Sequence, residues 1–325
     1  MSELYYGQAI GKAIASEMRR DESVVLWGED VAKPGGIFGV TRGLLKEFGS
    51  RRVKDTPISE LVLTGAAVGA AMTGLRPIVE IMFMDFIGFA MDPLLNQAAK
   101  IRHMFAGQFS VPLVVRTAAG GGFNAGPHHS QSLEAWLAHI PGLFVVAPSS
   151  PAEAFGLLIS SIRNDNPVVF VEHKGLYSYK NEVPDEEYSL PLSQASVIRE
   201  GKDLTLVTYS RMVHAAIKAA DKLAGLGVEA EVIDLRTINP WDQKTVLDSV
   251  RKTYHLMIVH EAVKDFGVGA EISAVVAEEA IDSLDSPIVR LGGPFAPVSV
   301  SIPLEKYFLV DADRIFDAAR QMLGC

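Results

Sequence analysis

At 325 residues the chain is long enough for two domains of ordinary size, each able to bury its own core. Nearly half the residues are apolar (48%), 21% are charged, and Gly and Pro are scattered, which is a globular and not a disordered composition. A net charge of -9 with no stripe of Lys and Arg disfavours a nucleic acid as ligand and suits a basic protein partner.

The opening Met1-Ser2-Glu3-Leu4-Tyr5 has neither the basic-then-apolar order of a secretory signal nor an Arg-rich character, so the expected location is cytoplasmic. Apolar periodicity predicts a helix over 4–20, a strand over 24–28 that runs into Glu29-Asp30, and helices over 41–48 and 59–73. The most apolar run, 61–75, is shorter than the roughly 20 residues of a membrane span and reads as a buried helix. The alternation continues with strand 77–82, helix 93–104, strand 111–116, helix 133–139, strand 143–147, helix 151–164 and strand 167–172. Strands separated by helices imply crossover units and a mainly parallel sheet covered on both faces, an α/β fold. From 175 to about 196 the apolar period lapses, which marks a linker. A second α/β unit follows: strand 204–209, helix 214–226, strand 229–235, helix 244–251, strand 256–260, helix 270–283 and strand 288–290. The single cysteine, Cys325, excludes an intrachain disulfide and fits a reducing compartment.

Ligands of open α/β sheets bind beyond the carboxyl ends of strands. Those places hold Glu29 and Asp30, Asp85 and Phe86, the loop Gly120-Gly121-Gly122 with His128 and His129, and Glu172 with His173. Five of the eight residues from Gly120 to Pro127 are Gly or Pro, so this loop cannot be regular structure. Imidazole titrates near neutrality, so His128 and His129 suit proton transfer, or alternatively a helix cap or a backbone contact. Ser59 is a natural helix N-cap and Glu60 lies in the first turn, where the helix dipole favours a carboxylate. Glu29 is either desolvated with a raised pKa or a solvated strand-end acid. Phe83 and Phe86 provide either a stacking wall for a ring or core packing. No Gly-x-Gly-x-x-Gly follows a strand, and there is no P-loop and no Gly-x-Ser-x-Gly elbow, so dinucleotide, nucleoside triphosphate and serine hydrolase readings lose their support. Gly267-Val268-Gly269-Ala270-Glu271 reads as a Gly-rich helix start.

Taken in order, Leu26-Trp27-Gly28-Glu29-Asp30-Val31, Asp55-Thr56-Pro57-Ile58-Ser59-Glu60, Gly74-Leu75-Arg76-Pro77, Asn96-Gln97-Ala98-Ala99-Lys100, His129-Ser130-Gln131-Ser132, Pro141-Gly142-Leu143 and Val232-Ile233-Asp234-Leu235-Arg236-Thr237-Ile238-Asn239-Pro240-Trp241-Asp242 resemble, nearly end to end, the beta subunits of 2-oxo acid dehydrogenase complexes.

The resemblance implies two parallel-sheet domains: a transketolase-like pyrimidine-binding domain over 1–180, a linker over 181–198 and a transketolase C-terminal-like domain over 199–325. It implies thiamine diphosphate as cofactor, gripped here at its pyrimidine end, with the diphosphate and magnesium held by a separate alpha chain in an alpha2-beta2 heterotetramer. The absence of Gly-Asp-Gly separates the chain from single-chain members that bind the diphosphate themselves. By resemblance Glu60 bonds the aminopyrimidine ring, His129 assists acyl transfer to a lipoyl group, Phe86 packs on the pyrimidine, and Glu29 is an acid on the proton path; no role is implied for His128. Some members bind potassium around Ser161, Asn164 and Asn166, with an acid where this chain has Asn164. Pyruvate and acetoin are the favoured substrates, a branched-chain 2-oxo acid the alternative, and the expected further partner is the lipoyl acyltransferase core. The rival from another class is a non-catalytic assembly subunit that docks on that core.

Overall fold

A computed structural model describes residues 1–325. The chain forms two compact units, one of Met1–Ala119 with Trp136–Leu192 and one of Gly120–Ala135 with Ser193–Cys325. In the first, the strands are β1 (Ser2–Tyr5), β2 (Val24–Gly28), β3 (Val53–Asp55), β4 (Arg76–Phe83), β5 (Val114–Ala119), β6 (Phe144–Val146), β7 (Val168–His173) and β8 (Lys180–Val183). Its main sheet runs β6-β7-β5-β4-β2-β3, parallel throughout. Every residue of β5 and β7 is buried, the pattern of strands covered on both faces. Helices Tyr6–Arg20 and Pro151–Arg163 pack on each other and share a core with Val24, Leu26, Ile78, Val114 and Phe170. Both helices were expected; the second is capped by Ser150, which accepts from the Glu153 amide.

Three expectations needed correction. Residues 2–5, partly assigned to the first helix, are β1, which pairs antiparallel with β8 from Ser2↔Val183 to Tyr5↔Lys180. The helix expected over 93–104 is composite, a π stretch at Asp92–Ala98 and an α-helix only at Ala99–Met104, and an unanticipated 3-10 stretch at Met84–Ala90 precedes it. The polar stretch after β8 is packed, not free: Tyr188, Leu190 and Leu192 lie on the first unit's core. Gly156 makes this possible, since a Cβ there would stand 2.7 Å from Leu190 and 2.8 Å from Tyr188.

In the second unit β9 (Ser196–Arg199), β10 (Leu204–Thr208), β11 (Ala230–Asp234), β12 (Thr237–Asn239), β13 (Leu256–Val263) and β14 (Val289–Gly293) appear. Five of them form a sheet ordered β14-β13-β10-β11-β9, parallel except for the edge strand β9. Helices Met212–Ala224 and Ala312–Leu323 pack together and bury Ala216, Ala219, Ala220, Ile315 and Ala319 with the sheet's Leu204, Leu206 and Val232. The last helix, and Ile302–Phe308 before it, were not anticipated. The start signal of the last helix is present in Asp311, whose carboxylate accepts from the Arg314 amide at 2.9 Å. No helix is long and apolar enough to cross a membrane.

Candidate functional site

Glu29 and Glu60 come together because β2 and β3 are parallel neighbours, with Gly28 opposite Asp55, so the loops that follow them leave the sheet at the same end. The Thr56 amide donates to the Gly28 carbonyl at 2.9 Å, and Asp55 accepts from the Ala32 amide at 2.6 Å, tying the two loops to each other. Glu60 is the first residue of helix Glu60–Met72 and is half-buried. Ser59 precedes it at the expected N-cap position, but its side chain accepts no bond from the helix. Burial raises the pKa of Glu29 above that of an ordinary carboxyl group, and the nearby charges of Glu60 and Asp30 add to the effect. Of the two readings left open for Glu29, the desolvated one holds.

The helix that begins at Glu60 packs on the segment Met84–Ala90, which carries Phe86. Phe86 meets Phe83 edge-to-face at 6.1 Å, Phe83 meets Phe38 at 6.0 Å, and Phe38 stacks on Tyr177 at 4.5 Å. The aromatic wall is thus longer than Phe83 and Phe86 alone. Below it lies a buried ionic layer: Arg116 donates to both oxygens of Glu172 (2.7 and 3.0 Å) and to Glu80 (2.7 Å), while the Tyr177 hydroxyl donates to Glu172 at 2.6 Å. Register explains the arrangement, since Glu80 stands directly opposite Arg116 on adjacent strands. Glu80, Arg116 and Tyr177 were not singled out from the sequence, although a lone charge inside an apolar strand such as Val114-Val115-Arg116 is a usable signal.

Around the residues expected near potassium, the oxygens carry hydrogen bonds. The Ser161 hydroxyl donates to the Leu157 carbonyl, and Asn164 Oδ1 accepts from the amide and side chain of Asn166. Arg76 donates to the carbonyls of Ile162 (2.8 Å) and Asn164 (2.7 Å), and Arg102 donates to Asn166 Oδ1 at 2.8 Å.

His129 belongs to the second unit, on the glycine loop. Gly120, Gly122, Asn124 and Gly126 all have positive φ (89°, 95°, 54° and 77°), the reason the loop is so rich in glycine. Two buried carboxylates hold it. Glu261 accepts from the Gly121 amide at 2.6 Å; Glu305 accepts from the Gly122 amide at 2.8 Å, the Asn124 amide at 3.0 Å and the Asn124 side chain at 2.8 Å. His129 is half-buried and its amide closes a turn onto the Gly126 carbonyl; His128 is exposed. Just beyond, Glu134 is buried with its pKa pushed up to about 7 by burial and by the Glu261 charge. Burial and the Glu134 charge likewise raise the pKa of the buried Tyr209 phenol. Gly267 and Gly269, expected to be a helix start, do begin helix Val268–Ala280 and also make room for a ring: a Cβ on Gly267 would lie 2.6 Å from His260. His260 is buried, which lowers its pKa to about 4.

The family described as "Transketolase, pyrimidine binding domain" matches residues 2–180, and "Transketolase, C-terminal domain" matches residues 193–315. The chain is 46% identical over 325 residues to the acetoin:2,6-dichlorophenolindophenol oxidoreductase subunit beta of Cupriavidus necator, with 97% of this chain and 96% of the relative covered. It is 43% identical over 324 residues to both the pyruvate dehydrogenase E1 component subunit beta and the 2-oxoisovalerate dehydrogenase subunit beta of Bacillus subtilis, each with 99% of either chain covered. A solved structure described as a split gene transketolase, inactive beta4 tetramer, has the same fold, with a TM-score of 0.82 at 21% identity over 99% of this chain and 98% of that one.

Proposed function

Because this chain belongs to the transketolase-like family of acetoin and 2-oxo acid dehydrogenase beta subunits, we propose that it is the beta subunit of a thiamine-diphosphate-dependent dehydrogenase acting on pyruvate or acetoin, active only with a separate alpha chain. The observation that carries the reading is the convergence of Glu29 and Glu60 on neighbouring loops, where the charge of Glu60 helps raise the Glu29 pKa and the helix that Glu60 begins packs against the segment carrying Phe86. The bound cofactor supplies the carbanion chemistry at its thiazolium ring. Glu60 is the hydrogen-bond partner of a pyrimidine nitrogen, Glu29 stands beside it with its own pKa raised, and Phe86 gives the ring a face to pack on. The diphosphate and magnesium belong to the alpha chain, because this sequence contains no Gly-Asp-Gly. His129 serves the later transfer of the acyl group to a lipoyl arm of an acyltransferase core.

The test is oxidation of pyruvate, acetoin and a branched-chain 2-oxo acid by the purified chain alone and with a co-expressed alpha chain, in thiamine diphosphate and magnesium. Turnover is expected only from the pair, and Glu60→Gln is expected to lower kcat by about 100-fold or more, the range of a lost acid–base group. Full turnover by the lone chain would overturn the proposal, and preference for the branched-chain acid would reassign the substrate.

A further inference from the structure

Four of the seven backbone positions from Gly120 to Gly126 have positive φ, three of them glycines that adopt it freely, so the loop's own residues permit many paths and a contact from outside must select one. The structure supplies that contact from Glu305. It lies on helix Ile302–Phe308, is 4% exposed, and directs its whole carboxylate at the loop, taking the Gly122 amide, the Asn124 amide and the Asn124 side chain. Glu305 makes no ion pair, so these three donors are what its charge is spent on. The loop returns through Gly126 to His129, and the Gly120 amide donates to the Gln131 carbonyl at 3.2 Å, tying its two arms together two residues beyond the imidazole. Neighbouring side chains leave little slack: a Cβ on Gly126 would stand 2.6 Å from Val300, and one on Gly121 3.3 Å from Leu309 and 3.4 Å from Glu305.

We infer that Glu305 is a positioning residue for His129: its carboxylate fixes the left-handed arm of the glycine loop, and through the Gly120–Gln131 tie that arm fixes the imidazole. This rests on the proposed lipoyl-transfer role of His129 and adds a residue some 180 positions away in sequence that the role depends on. The expected signature is a loss confined to the step that His129 serves. Glu305→Ala removes all three acceptor contacts, whereas Glu305→Gln keeps one oxygen and loses the charge.

Two measurements on the alpha–beta complex decide it. The first is amide hydrogen exchange over residues 120–132, with β10 and β13 as internal reference. Glu305→Ala is expected to speed exchange of Gly122 and Asn124 by about tenfold or more, the scale set by losing a charge-assisted hydrogen bond, and Glu305→Gln by less. The second compares lipoyl acylation with oxidation by an artificial acceptor. A fall in lipoyl kcat of about tenfold, with KM for the oxo acid nearly constant and partial rescue by Glu305→Gln, supports positioning. Unchanged exchange in the loop while β10 and β13 stay protected would overturn the inference, and so would equal loss in both assays. If the wild-type pair oxidises no substrate, the functional reading fails, while the exchange comparison still decides whether Glu305 holds the loop.

Discussion

Glu134 and His260 are buried in the second unit and shift in opposite senses, each away from its charged form. For Glu134 the folded pKa of about 7 lies above the ordinary 4.5, so between these values the folded chain keeps a proton that the unfolded chain has lost. The stabilisation from holding the group neutral is complete below pH 4.5 and gone above 7, a change of roughly 3 kcal/mol at 1.36 kcal/mol per unit. His260, lowered from 6.5 to about 4, stabilises above pH 6.5 and loses that contribution as pH falls through 4. The two slopes oppose each other in the wild type, so the clean observable is a difference. Glu134→Gln, neutral at every pH, should match the wild type near pH 4.5 and exceed it in unfolding free energy by up to roughly 3 kcal/mol at pH 8, read from urea midpoints. A difference that does not change with pH would show that the fold leaves the Glu134 pKa unshifted. The charge of Glu134 was visible in the sequence, but its burial was not, because it follows a loop whose path depends on Glu261 and Glu305.

At the scale of elements, β4, β5 and β7 each carry a buried charged residue into a largely apolar layer, and the three meet as Glu80, Arg116 and Glu172. Arg116 is 1% exposed and Glu172 1%, so losing the cation strands two carboxylates away from water. Arg116→Met is expected to destabilise by about 3–5 kcal/mol, and replacing all three residues by apolar ones of similar volume to recover most of that, by thermal or urea unfolding. A loss for the triple variant as large as for the single one would show that the layer contributes through its geometry and not through charge compensation. Period 2 and period 3.6 placed most strands and helices to within a few residues, since continuous apolar runs bounded by turns can only be buried strands or helices. What they missed has a physical cause. β1 and β8 are half-exposed, and β3 is a three-residue strand with one buried position, so none carries an apolar period of its own. Strand pairing made them, not local propensity.

At the scale of the whole molecule, each unit leaves apolar surface open. On helix Glu60–Met72, Leu61, Val62, Gly65 and Gly69 face outward, and a Cβ on either glycine would meet nothing within 4 Å. On the second unit Phe295, Ile302, Leu304 and Tyr307 are exposed, Phe295 and Tyr307 at 73% each. Large apolar patches on a chain of this kind mark association surfaces. The lone chain should therefore bind a hydrophobic fluorescent dye strongly, and co-purification with an alpha chain should reduce that signal severalfold at equal molarity. Equal dye binding by the lone chain and the complex would place the alpha contact elsewhere.

The sequence by itself determined the α/β class, the alternation of strands and helices, and, through motifs running nearly end to end, the family to which the chain belongs. These are properties of local period and residue order, which the chain carries without reference to its neighbours in space. Only the tertiary structure decided that burial and Glu60 raise the Glu29 pKa, that Arg76 reaches the carbonyls of Ile162 and Asn164, and that Glu305 grips the loop of His129. Each depends on which strands lie side by side and which distant carboxylate reaches a backbone amide, and no spacing along the chain encodes that.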